Sequence, residues 1–342
     1  MGAIILVCST EWLISGHLAN FTSNSASSWS WSSEASSKFL ARADILCFGD
    51  SLVKFGLVPT VLERRLGLRA SNLAQFQGLP ATNFFLLRRA LAAGARPRAL
   101  IVDCELLERD PCGLELDRLW PELATLAEGA ELAWHADDLS FFSKFGLSLI
   151  LRSVRARQEI RTQVLLALRG QAAPLRTDYD RDRTNWESNR GAYLVPSEPH
   201  APEFFDLGAL KPAKWAAHRI NLIFLDKFLG LAASRGIPVF LLLPPTHPDY
   251  QVANEKNGHE EAFVKFVRSL LADHPSLSVI DGRHAAYEHS NFIDLVHLNG
   301  RGAKAYTSAL SDVIKARLSE PKRRVELWVE LPRVREPSTR FR

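Results

Sequence analysis

An α/β fold, built on a doubly wound, mainly parallel five-stranded sheet with a large helical and loop insertion, is predicted from the 342-residue sequence. Three observations predict it. Short apolar runs alternate with stretches of helical spacing, the pattern of a parallel sheet covered by helices. The runs stop at turn residues, as in Gly49-Asp50 and Pro244-Pro245. One region, about 105–212, breaks the alternation and reads as the insertion, between the third and fourth strands.

In chain order, Ala3–Gly16 is apolar except for Ser9, Thr10, Glu11 and Ser15. A spanning helix needs about 20 apolar residues. This stretch is shorter, holds a carboxylate and lacks the cationic start of a secretory signal. Val7 ahead of Cys8 argues against a lipoprotein site. Residues 1–20 then read either as a signal-anchor beginning upstream of Met1 or as a packed or interfacial helix. Thr22–Ser37 holds nine Ser in sixteen residues, with Trp29 and Trp31 between them. Such composition cannot bury enough apolar surface to fold alone, so residues 21–40 are expected to form a linker with two tryptophans suited to a membrane interface. The organisation expected is an exported protein tethered to the membrane through residues 3–18, with a body over 41–320. The alternative is a soluble cytoplasmic protein with a disordered extension.

The body opens with Ala43–Phe48, a buried strand ending in Gly-Asp-Ser. Residues 52–66 carry helical spacing, with Pro59 an objection to one continuous helix. Arg69–Ala74 is the second strand, and Thr82 is expected to cap a helix reaching Ala93. Ala99–Cys104, Ile237–Leu243 and Leu277–Asp281 are the remaining strands. Helices are expected over 215–235, 259–272 and Gly300–Leu318, the last capped by Asn299. Residues 147–168 read as a basic helix carrying Arg152, Arg155, Arg157 and Arg161, either a solvated face or a contact for anionic headgroups.

Composition removes several classes. The formal charge is +4, yet residues 321–342 hold seven cations and three anions, leaving 35 of each sign in residues 1–320. The body is not a nucleic-acid binder by charge; only the basic tail could meet an anionic surface. Within that tail Val325–Leu331 alternates apolar and acidic residues, so part of it could add an edge strand. None of the four cysteines forms a CxxC pair, which argues against zinc, and a Cys104–Cys112 bridge would need an oxidising compartment. His284 and His289 lack a third ligand at metal spacing, so no metal and no cofactor is expected.

Two short motifs carry chemistry. Gly49-Asp50-Ser51-Leu52 sits at a strand-to-helix turn, which exposes Ser51 at the sheet's carboxyl edge near a helix amino terminus. Asp294-Leu-Val-His297 lies just before the last helix. A nucleophilic serine needs a base, and the base needs an orienting acid. Spacing of three puts Asp294 and His297 on one turn of backbone.

Together these motifs resemble the SGNH hydrolases, the GDSL-type esterase superfamily, which implies a flavodoxin-like fold. Gly49-Asp50-Ser51-Leu52 is similar to the family's first block, Asn72-Leu-Ala-Gln-Phe-Gln-Gly78 to its second and Asp294–Gly300 to its last. The resemblance covers about 43–104 and 236–316. It implies Ser51 as nucleophile, His297 as base, Asp294 as its partner, and the amides of Ser51 and Gly78 as oxyanion donors. One block departs: where the family has Gly-x-Asn-Asp, this chain has Asp103-Cys-Glu105-Leu-Leu-Glu108, without the donating Asn. Thr246 and His247 are the substitutes expected from the neighbouring rim.

The expected activity is esterase action on an acyl ester, such as an O-acetylated carbohydrate, through an acyl-Ser51 intermediate. Transfer of the acyl group to an exported polysaccharide is the alternative, and a non-catalytic binding protein on the same fold is the other. Trp186, Tyr193 and Trp215 read either as a sugar platform or as packing.

Overall fold

The computed structural model describes residues 2–17, 21–38, 42–171, 175–196, 215–319 and 327–333. Six strands form one all-parallel sheet: β1 Ile45–Phe48, β2 Ala70–Asn72, β3 Ala99–Val102, β4 Val239–Leu243, β5 Leu277–Asp281 and β6 Trp328–Glu330. Their order is β2-β1-β3-β4-β5-β6. The five strands read from the sequence are all present, and the count is corrected to six. Trp328–Glu330 of the tail pairs in parallel with β5, through Val279↔Trp328 and its neighbours. The tail cations Lys322, Arg323, Arg324, Arg335, Arg340 and Arg342 lie outside the described residues.

Strands β1 to β5 are buried on both faces, so the period of two sorts their side chains into two cores. Leu46, Phe48, Leu100, Val102 and Leu241 join one core; Ile45, Cys47, Ile101, Phe240 and Leu242 join the other. Helices therefore cover both faces. The chain leaves β1 toward β2 and then returns across β1 to β3. That reversal is a topological switch point, and a crevice opens outside the carboxyl ends of β1 and β3.

The helices follow in order. α1 spans Gly2–Gly16, and α2 spans Asn24–Ser36. Pro59 splits the helix after β1 into α3 (Ser51–Gly56) and α4 (Pro59–Leu66), with the proline tolerated at the first position of α4. α5 is Pro80–Ala92. Thr82 sits three residues after the Leu79 cap, with the Leu79 amide donating to its hydroxyl and that hydroxyl donating to the Leu79 carbonyl. The insertion supplies α6 Trp120–Leu123, α7 Leu126–Ala136, α8 Leu139–Ile150, α9 Arg152–Arg155, α10 Arg157–Leu168 and α11 Leu175–Ser188. Its stretch 197–214 lies outside the described residues. α12 Arg219–Ser234, α13 Pro248–Lys256, α14 His259–Asp273 and α15 Gly300–Ser319 complete the set. Asn299 caps α15 as expected, accepting from the Arg301 and Gly302 amides.

The linker expected over 21–40 is corrected. Thr22 to Ser37 contains α2, and its tryptophans are inside the protein rather than at an interface. Trp29 is 0% exposed and meets Trp120 edge to face at 5.1 Å. Trp31 is buried against Tyr179 and Trp186. Small serines let the helix approach closely, while two indoles supply the apolar area that the composition average conceals. Buried Ser32 donates to the Ala74 carbonyl and Ser36 to that of Ser33, so these hydroxyls are satisfied.

Among the described residues no helix is long and apolar enough to cross a membrane. On α1, Ile5, Trp12 and Leu13 are exposed, and Glu11 accepts hydrogen bonds from the Arg152 and Ser153 amides at the start of α9. In the basic stretch Arg152, Arg157 and Arg161 are exposed, whereas Arg155 is paired with Glu122 at 2.8 Å. All four cysteines are free thiols.

Candidate active site

The β1–α3 turn is built to hold one serine at the switch point. Gly49 has φ +133°, and a Cβ there would stand 2.5 Å from Asp103 Oδ1, so only glycine fits. Asp50 caps α3, its carboxylate accepting from the Leu52 amide at 2.7 Å. Asp103, just past β3, accepts from the Asp50 amide at 3.0 Å and the Val53 amide at 3.2 Å. Burial raises the Asp103 carboxyl well above its ordinary value, and the neighbouring Asp50 charge adds to this. Ser51 is left half-buried at the turn's end, and its amide has no acceptor among the described residues.

His297 and Asp294 lie on the loop between β5 and α15. A bridge between Phe292 and Leu298 and the Ile293 amide on the His297 carbonyl (2.9 Å) shape that loop. Asp294 Oδ1 accepts from the amides of Val296 and His297, both at 2.8 Å. Its Oδ2 lies 2.6 Å from His297 Nδ1. Burial pushes the Asp294 carboxyl up, but the hydrogen bond and charge of His297 and the two amides outweigh it and hold Asp294 below its ordinary value. An ionised Asp294 requires the proton on His297 Nδ1, which leaves Nε2 as acceptor for the Ser51 hydroxyl 2.7 Å away. The ring also packs on Phe55, with centroids 4.7 Å apart. Ser51, His297 and Asp294 are thus brought together in one hydrogen-bonded chain.

The other site residues expected from the sequence fare differently. The Gly78 amide is corrected as an oxyanion donor: it donates to the Gln75 carbonyl at 3.1 Å. The glycine serves packing instead, because a Cβ on it would lie 2.2 Å from the Gly49 carbonyl oxygen. Its neighbour Gln77 takes the cavity position, at φ 60°, with an amide free of any acceptor among the described residues. A non-glycine residue at positive φ is uncommon and costs conformational energy, and sequence alone did not carry this one. His247 is also corrected. Its buried ring accepts from the Asp249 amide at Nδ1 and lies 2.8 Å from His289 Nδ1 through Nε2, off the cavity wall. Thr246 does line the cavity, with its hydroxyl donating to Gln251 Oε1 at 3.3 Å.

His247, Asp249 and His289 form the three-residue group that sequence spacing did not reveal, with ligand atoms within 4.8 Å of one another. With the Asp249 amide on Nδ1, a neutral His247 keeps its proton on Nε2 and donates it to His289. That tautomer leaves no lone pair on Nε2 for an ion. A second group, Glu255, Glu260 and His284, is engaged through Glu260 with Arg283 at 2.6 Å.

Ser51 and His297 open on a cavity of about 710 Å³. Phe55, Phe76, Tyr193 and Tyr250 give it aromatic walls. Glu105, Arg109, Asn254 and Glu260 give it polar ones, and Asn24 and Ser25 at the start of α2 reach its rim. Tyr193 is therefore the one member of the expected aromatic platform on the cavity. Trp186 is buried, and Trp215 packs on Phe263 and Phe266. Chemically, the arrangement offers a hydroxyl aligned with a base, a base aligned with a carboxylate, and, among the described residues, two amides without an acceptor on residues lining the same cavity.

Compared with known proteins, the chain matches no family model and no curated sequence.

Proposed function

We propose that the protein is a serine hydrolase of the SGNH type that cleaves an acyl ester through an acyl-Ser51 intermediate. The observation that carries this reading is the Ser51–His297–Asp294 chain, with contacts of 2.7 and 2.6 Å, at the switch point of a parallel sheet. In the first step Ser51 Oγ attacks the acyl carbonyl while His297 Nε2 takes the hydroxyl proton. The carbonyl oxygen becomes an oxyanion within reach of the Ser51 and Gln77 amides. The tetrahedral intermediate collapses, the ester oxygen leaves, and it takes the proton from His297. A water, deprotonated by the same Nε2, then attacks the acyl-enzyme, and Ser51 recovers its proton as the acid is released.

The aromatic walls of the cavity and its volume favour a carbohydrate ester, since sugar rings stack on aromatic faces while their hydroxyls bond polar rims. The same volume favours a second reading, O-acyl transfer, in which a sugar hydroxyl replaces water in the last step. For location we propose that α1 seats the protein on a membrane, supported by its exposed Ile5, Trp12 and Leu13.

The test is turnover of an O-acetylated sugar with and without a carbohydrate acceptor. Acetate release by wild type and none by Ser51→Ala supports hydrolysis. Acetyl appearing on the acceptor at the expense of acetate supports transfer. Equal background rates for both proteins would remove the enzyme reading and leave a binding protein.

A further inference from the structure

The β3 turn carries a carboxyl for which the catalytic chain has no use. β1 and β3 are neighbours in register, ending at the pair Phe48↔Val102. Ser51 is the third residue beyond Phe48, and Glu105 is the third beyond Val102. Adjacent strands run about 4.8 Å apart, so the two turns emerge side by side at the switch point. Asp103 binds them together, through the Asp50 and Val53 amides. Glu105 begins a short 3₁₀ turn, Glu105–Glu108, and lines the same cavity as Ser51 and His297.

Every other acid around it is engaged. Asp103 holds two amides, Asp50 caps α3, Asp281 holds Arg283, and Glu260 holds Arg283 and Gln251. The Glu105 carboxyl has no hydrogen-bond partner among the described residues. We propose that Glu105 is a further catalytic residue, a protonated carboxyl whose O–H donates to the oxyanion alongside the Ser51 and Gln77 amides. This rests on the acyl-Ser51 reading above.

The charge environment favours that proton below neutral pH. Burial pushes Glu105 up, and the charges of Asp50, Glu260 and Asp281 add to it; Arg283, already paired with Asp281 and Glu260, opposes them, and the carboxyl settles at about 7. Asp103, Cys104 and Tyr306 also face it, all with ionisation suppressed by burial. A neutral carboxylic acid is a strong donor to a developing oxyanion. An ionised one would repel it. The sign follows: the donor exists below about pH 7 and is lost as pH rises through that value. The result is a descending limb in the activity profile near about pH 7.

The experiment is the pH dependence of kcat/KM for an acetyl ester in wild type, Glu105→Gln, Glu105→Ala and Ser51→Ala, with thermal melting to verify folding. Wild type should lose activity above about pH 7, following the titration of one acid. Glu105→Gln keeps an N–H donor at every pH, so its descending limb should vanish. Glu105→Ala should lower kcat by about 10²–10³-fold on the acid side and flatten the alkaline limb. An infrared carboxylic-acid band present in wild type near about pH 6 and missing in Glu105→Gln gives a readout independent of turnover. Wild-type activity that rises through neutral pH to a plateau, with Glu105→Ala within about twofold of it, would overturn the proposal while leaving the acyl-enzyme intact. A Ser51→Ala rate equal to wild type would instead remove the underlying enzyme reading and the inference with it.

Discussion

Two serine-bearing segments lie beside the cavity and use their hydroxyls in opposite ways. At the β1–α3 turn one serine is kept free of the backbone. Asp50 and Asp103 take the surrounding amides, so the Ser51 hydroxyl is left for His297. In α2 three buried serines are consumed by structure: Ser32 and Ser36 donate to carbonyls, and Ser28 accepts from the Phe76 amide. The lesson is that serine density says nothing about chemistry. What matters is whether neighbouring groups leave the hydroxyl a base or a carbonyl. The two segments also touch. Trp29 Nε1 donates to the Phe76 carbonyl at 2.8 Å, so α2 braces the turn that carries Gln77.

The largest effect should come from the β1–α3 turn. Ser51→Ala and His297→Ala are each expected to lower kcat/KM by about 10⁴-fold or more, with melting temperatures close to wild type. Steady-state kinetics and calorimetry on the same samples check both halves, and parallel losses of stability and rate would collapse the distinction between the segments. Trp29→Ala should do the reverse. Emptying a buried indole site costs about 3–5 kcal/mol, read as a lower denaturant midpoint, and the folded fraction should still acylate Ser51. A smaller drop in kcat would sharpen the comparison by showing that the Gln77 turn depends on its brace. Asp294→Asn should cost about 10⁴-fold in kcat, less than the roughly 10⁶-fold that losing His297 can cost, because Asp294 orients the ring and stabilises its charge without taking the proton.

The smallest expected effect concerns a residue between the two segments. Lys54, on α3 one turn after Ser51, is 1% exposed; its Nζ has no hydrogen-bond partner among the described residues and lies 6.0 Å from the Trp186 ring centroid. Burial lowers it from 10.5 to about 7. The unfolded chain then binds this proton more tightly than the native one, so stability rises as pH climbs from about 7 toward 10. Lys54→Met should remove that rise and stabilise the protein by about 1–3 kcal/mol near neutral pH. Chemical denaturation at a series of pH values checks it. A destabilised variant would show that the amine does something the packing does not.

The legible parts of this fold were the ones written locally. Strands buried on both faces are continuous apolar runs, so Ala43–Phe48, Ala99–Cys104 and Ile237–Leu243 announced β1, β3 and β4. Ser51, His297 and Asp294 were legible because each sits on a short motif at a strand or helix end. The remainder depends on partners distant in sequence. α2 becomes a helix because Trp120, Tyr179 and Trp186 receive its tryptophans, and no window over 22–37 contains that information. Gly78 looked like a donor, but whether an amide is free depends on a carbonyl three residues earlier. Gln77 and Glu105 gained their places from backbone conformation and strand register.

The central claim is tested most directly by intact-protein and peptide mass spectrometry after treatment with a fluorophosphonate. The account predicts a single adduct on Ser51 in wild type, none in Ser51→Ala, and much slower labelling in His297→Ala. No adduct on a folded wild-type protein, or an adduct on another residue that survives Ser51→Ala, would contradict it.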